Sequence, residues 1–220
     1  MAETASRRQP NPYRPGFNQA PMVFAGRQEI LDAAGEAMEV AAFDGRTPRP
    51  LILVGPRGVG KTVTLGEISH AAAAQHSWPT VHVEATAGGL TETLTARLRA
   101  VRSLLEGRTP TDRQRGGARI TGAKVQASIL GVGGGIEVER DTTESRRSLD
   151  VELRDTMTVA MEREAGLLLT LDELQNASSA ELHALGGVLQ ENVPEGWPLV
   201  VAVGALPSLR GKRSGRLPTY

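Results

Sequence analysis

The chain has 220 residues, enough for one core with an inserted or trailing element, and its 25 basic residues balance its 25 acidic ones. That neutrality excludes a global field drawing the protein to nucleic acid or an anionic membrane, and the absence of cysteine excludes a disulfide framework, a zinc–thiolate site and a thiol nucleophile. The polar stretch from Met1 to Ala20 lacks the apolar segment of a secretory signal and no later apolar run is long enough to span a bilayer, so a cytoplasmic protein with no membrane partner is expected.

Residues 1–23 carry Pro10, Pro12, Pro15 and Pro21 with Gly16, which removes backbone donors, and they read as an extended arm. From Glu29 the apolar positions Ile30, Ala34, Ala37, Met38 and Ala41 recur at helical spacing, predicting a helix that ends near Asp44 and Gly45. Leu51-Ile52-Leu53-Val54 is a continuous apolar run closed by Gly55, as expected of a parallel strand covered on both faces. A helix from Lys61 to about His76 follows, then a strand over Thr80 to Glu84. Leu90, Leu94, Leu98, Val101 and Leu105 mark a third helix.

Residues 107–145 break this pattern. Val125, Ala127 and Ile129 alternate with Gln126 and Ser128, and Gly131 to Gly135 leads into Ile136-Glu137-Val138-Glu139, which predicts an inserted β-hairpin region. Arg146 to Glu164 returns to helical periodicity, and Leu167 to Leu171 reads as a buried strand. Ser178-x-x-Glu181 is a capping-box signature before another helix, and Leu199 to Val203 reads as a last strand. The alternation predicts an α/β three-layer domain, a parallel sheet flanked by helices.

Gly55-Pro56-Arg57-Gly58-Val59-Gly60-Lys61-Thr62 fits G-x-x-x-x-G-K-[ST] and lies between a predicted strand and a predicted helix, the context that this phosphate-binding loop requires. Its glycines let successive N–H groups point at phosphates, and the helix that starts at Lys61 and continues through Val63 adds its positive end. Lys61 is expected to reach the β- and γ-phosphates of ATP and to act in catalysis, while Thr62 offers its hydroxyl to Mg²⁺. Asp172-Glu173 closes the Leu167 to Leu171 strand where such a loop needs an acidic partner, with Asp172 expected on Mg²⁺ and Glu173 as general base. ATP binding with Mg²⁺-dependent hydrolysis is the predicted activity; the alternatives are a nucleotide-dependent switch with slow hydrolysis and a DNA-associated initiator or transposition-type ATPase.

Phe24-Ala25-Gly26-Arg27, the loop, and Leu171-Asp172-Glu173-Leu174-Gln175 together resemble the AAA+ ATPases, in the branch of bacterial and archaeal AAA-domain proteins, origin-recognition initiators and STAND signalling ATPases. Asn11-Pro12-Tyr13-Arg14-Pro15-Gly16 is similar to the entry arm of some bacterial members. The resemblance spans residues 11–209 and implies a three-layer P-loop NTPase core over 24–209, with Met22 to Arg27 lining the adenine pocket, so that Arg27 joins the cofactor-binding residues. It also implies a polar sensor residue at the end of the last strand, where this chain has Gly204, with Ser208 only beyond Pro207. An arginine finger acting across a subunit interface is implied after that strand, where Arg210, Arg213 and Arg216 are candidates in the basic tail of residues 210–220. Family modules continue with a fifth strand and a helical lid beyond the point where this sequence stops; either the lid is absent, in which case weaker affinity and slow turnover are expected, or the sequence is a fragment with a truncated end.

Arg97, Arg99, Arg102, Arg108, Arg113, Arg115 and Arg119 form a basic stretch. Without an aromatic set for base stacking a solvated charged face is the favoured reading, with a nucleic-acid contact as the alternative. The glycine-rich hairpin is either a contact for a homo-oligomer or protein partner or an ornament over the sheet edge.

Overall fold

The computed structural model describes residues 26–107, 142–192 and 196–212. The expected arm, the body of the expected hairpin and the end of the basic tail lie outside these residues. The described elements are α1 (Gln28–Phe43), β1 (Leu51–Val54), α2 (Lys61–Gln75), β2 (Thr80–Glu84), α3 (Leu90–Glu106), α4 (Thr142–Glu162), β3 (Leu167–Asp172), a 3₁₀ turn (Leu174–Asn176), α5 (Ser179–Asn192), β4 (Leu199–Ala205) and a second 3₁₀ turn (Pro207–Lys212). The helix expected from Arg146 starts at Thr142 instead, taking in the end of the segment assigned to the insertion. Thr142-Thr143-Glu144-Ser145 lacks the apolar residues by which periodicity locates a helix.

The four strands form one parallel sheet in the order β1-β4-β3-β2. Because all four are parallel, their C-terminal ends share one edge, and β4 ends between the loop after β1 and the acids that close β3. Leu167, Leu169 and Leu171 pack on one face with α3, α4 and α5. Leu168, Val200 and Ala202 pack on the other with Met38, Leu65 and Ile68 of α1 and α2. Strands covered on both faces lose the polar–apolar alternation, which explains the continuous apolar runs of β3 and β4.

β1 differs from its expectation. It is one of the two edge strands of the described sheet, and only Leu53 is buried, while Ile52 and Val54 are 45% and 38% exposed. Its apolar run marks it as a sheet member, but position within the sheet is set by tertiary pairing that composition does not encode.

The capping box forms as predicted: Ser178 N–H donates to Glu181 Oε2 at 2.9 Å and Glu181 N–H donates back to Ser178 Oγ at 3.2 Å. Glu181 does more than the motif requires. Its Oε1 accepts the N–H of Leu90 at 2.6 Å, so one buried carboxylate also satisfies a first-turn donor of α3. On the same side of the sheet, buried Glu152 of α4 accepts from Arg99 and Arg102 of α3 at 3.2 and 2.8 Å. These two arginines, expected on a solvated face, clamp two helices together. Among the described residues, no helix is long and apolar enough to cross a membrane.

Candidate functional site

The loop after β1 takes its path from glycine. Gly58 and Gly60 hold φ of +79° and +83°, a region that L side chains rarely adopt, and an added Cβ at Gly55 would meet Val59 Cγ2 at 3.0 Å. Gly55 N–H donates to Ala205 O at 3.2 Å, which ties the start of the loop to the end of β4. Pro56, Arg57, Gly58 and Val59 stand exposed. Gly60 caps α2 without a side chain, so no side chain competes for the N–H groups of the first turn, which contains Lys61, Thr62 and Val63.

Lys61 is 5% exposed, and its ammonium donates to the carbonyls of Gly55 and Pro56 at 3.0 and 2.9 Å, curling back across the loop. Arg27, just before α1, donates its guanidinium to Val59 O. The structure therefore brings Arg27 onto the outer lip of the loop. Gly26 and Arg27 are described, whereas residues 22–25, the rest of the expected adenine-side segment, are not.

Thr62 Oγ1 donates to Asp172 Oδ2 at 2.5 Å, joining the loop to the end of β3. Asp172 is 2% exposed, and its other oxygen accepts the N–H of Glu173 at 2.8 Å. Glu173 is half-buried with φ 50° and ψ 35°, a left-handed conformation that turns the chain sharply out of the strand. Its carboxylate accepts from Gln175 Nε2. Gln175 was not singled out as a site residue from sequence; the available signal was a large amide two residues after the acid expected to be the general base, and its 8% exposure is what gives that signal meaning.

Gly204 occupies the position where the resemblance implies a polar sensor. A Cβ there would lie 2.5 Å from Asp172 Oδ1 and 3.2 Å from Leu65 Cδ1. The buried carboxylate thus occupies the space that a sensor side chain would need, and β4 approaches Asp172 only because residue 204 is glycine. Ser208 lies exposed in the second 3₁₀ turn. The side chain of Arg210, together with Arg213 and Arg216, falls outside the described residues.

Behind Asp172, His82 Nδ1 lies 2.9 Å from Thr170 Oγ1 on the neighbouring strand. Burial holds the imidazole below its usual pKa, an effect the negative charge of Asp172 opposes; Arg97 adds to the lowering and Glu84 opposes it. Among the described residues no cluster of His, Asp and Glu could hold a metal by itself. A cation here would have Thr62 and Asp172 as its protein oxygens and would need further ligands from its substrate and solvent.

The family model described as AAA ATPase domain matches residues 23–201. The fold is similar to that of Cdc6p from Pyrobaculum aerophilum, with a TM-score of 0.50 at 16% identity, covering 89% of this chain and 45% of that one. Drosophila ORC bound to AT-rich DNA and Cdc6 gives a TM-score of 0.47 at 12% identity, over 87% of this chain and 26% of that one. Drosophila ORC bound to DNA gives 0.42 at 17% identity, over 85% and 39%. No curated protein matches the chain. The chain spans less than half the length of the Cdc6p chain.

Proposed function

The chain belongs to the AAA ATPase domain family, and from that premise we propose that it binds ATP with Mg²⁺ on Gly55 to Thr62 and hydrolyses the terminal phosphate with Glu173 as general base. The observation that carries this reading is the 2.5 Å bond from Thr62 Oγ1 to Asp172 Oδ2, with Glu173 next in the chain. A hydroxyl has one proton and two lone pairs, so giving the proton to Asp172 leaves the lone pairs for a hard cation. An all-oxygen donor pair fits Mg²⁺, which prefers few protein ligands beside phosphate oxygens and water. When bound, Mg²⁺ neutralises charge developing on the phosphate oxygens.

The chain's own residues supply the rest. Lys61 exchanges the neutral carbonyls of Gly55 and Pro56 for charged phosphate oxygens, which make stronger hydrogen bonds to an ammonium. Arg27 holds the lip of the loop and adds positive charge there, and Glu173 takes the proton of the attacking water. A second reading, a nucleotide-state switch with slow hydrolysis, is favoured by Gly204, since no polar side chain at that position can contact the γ-phosphate.

ATP affinity and steady-state turnover of the wild type and Glu173→Gln test both readings. Turnover in the wild type that falls by roughly 10²- to 10⁴-fold in the variant, with ATP still bound, supports hydrolysis through Glu173. Tight binding with negligible turnover in both supports the switch. Failure of the wild type to bind ATP contradicts both.

A further inference from the structure

Resting on the reading of Glu173 as the general base, we propose that Gln175 is the positioning residue that aims the Glu173 carboxylate and fixes it relative to the end of β4. Gln175 is 8% exposed and uses both ends of its amide. Nε2 donates to Glu173 Oε2, and Oε1 accepts the N–H of Leu206, immediately beyond β4, at 2.9 Å. The left-handed backbone at Glu173 makes this possible, because it turns the chain into the 3₁₀ turn and brings residue 175 back beside residue 173. The next residue locks the turn on its other side, where Asn176 Nδ2 donates to Ala85 O, just past β2, at 3.2 Å.

A carboxylate on a flexible stem that must meet one water gains from a second oxygen held in place. Gln175 engages Oε2, and holding that oxygen restricts the orientations open to the carboxylate when it takes the proton of the water. The anchor matters as much as the donor. Leu206 follows Ala205, whose carbonyl accepts the first N–H of the phosphate loop, so the loop, β4, Gln175 and Glu173 form one connected chain of contacts. With Gly204 excluding a side chain at the end of β4, the amide of Gln175 links the residue just past that strand to the Glu173 carboxylate.

Two substitutions separate the donor from the anchor. Gln175→Glu keeps an acceptor for Leu206 N–H but faces Glu173 with a like charge, and Gln175→Met keeps the length and loses both bonds. In each, kcat for ATP is expected to fall on the order of 10- to 100-fold, while ATP affinity stays within about twofold. In a Glu173→Gln background the Gln175→Glu change is expected to have no further effect on kcat. Wild-type kcat in Gln175→Glu, or a rise in kcat that would make the amide a restraint, overturns the proposal. So does a loss of ATP affinity as large as the loss of kcat, which would make the residue structural. If Glu173→Gln itself hydrolyses ATP at the wild-type rate, the reading of Glu173 fails instead, and this arm distinguishes the two failures.

Discussion

The loop from Gly55 to Thr62 and the turn from Asp172 to Ala177 meet at the same edge of the sheet, yet they are made in different ways. The loop is exposed over Pro56 to Val59, its path follows from positive φ at Gly58 and Gly60, and Lys61 bonds to carbonyls five and six residues away. The turn has Leu174, Gln175 and Ala177 buried, and side chains reach 31 residues to Leu206 and 91 residues to Ala85. A phosphate cradle needs backbone N–H groups and room for a ligand, which small residues provide. The general base proposed at Glu173 would need one carboxylate held in one orientation, which takes packed neighbours from other strands.

That contrast can be broken from either side. The largest effect is expected behind the turn, at Glu181, where removing the carboxylate leaves the donors of Leu90 and Ser178 without their acceptor. Glu181→Ala should lower stability by about 2–4 kcal/mol, combining a lost cap with a buried unsatisfied donor, and urea unfolding measures it. Gly204→Ala should follow at about 1–3 kcal/mol, because its Cβ overlaps the Asp172 carboxylate and must displace it. The same variant should weaken the dependence of ATP binding on Mg²⁺, which titration at fixed nucleotide will show. Gly60→Ala meets no atom closer than 4.0 Å, so its penalty is the backbone conformation alone, about 1–2 kcal/mol. A thermal shift larger than that of Gly204→Ala would contradict the view that the loop is limited by backbone and the turn by packing.

The smallest effect is a pH dependence at His82. Its folded pKa lies below the ordinary 6.5 because burial disfavours the charged ring. The unfolded state therefore binds the proton more readily, so this contribution is fully present above pH 6.5 and is lost as pH falls through 6.5 toward the lower folded value. His82→Gln should flatten that part of the stability profile, read as melting temperature at pH 7.5 and 5.5. An unchanged slope would remove His82 as its source.

The same contrast explains what could be read from the sequence. The bounds of β1 and β2, the buried stripe of α1 and the Ser178–Glu181 box were legible because each depends on neighbours a few residues away. The edge position of β1 was not, since four apolar residues announce a strand but not what lies on either side of it. The second duty of Glu181, the clamp of Glu152 on Arg99 and Arg102, and the reach of Gln175 to Leu206 were hidden for the same reason. Gly204 was seen only as a missing sensor. Its proximity to Asp172 turns that absence into a packing requirement.

The most direct test of the cradle is titration of the wild type and Lys61→Ala with a fluorescent ATP analogue and Mg²⁺. Losing charge-assisted bonds to phosphate should weaken binding on the order of 100-fold with little change in melting temperature. An affinity within a few-fold of wild type would contradict the assignment of Gly55 to Thr62 as the nucleotide site.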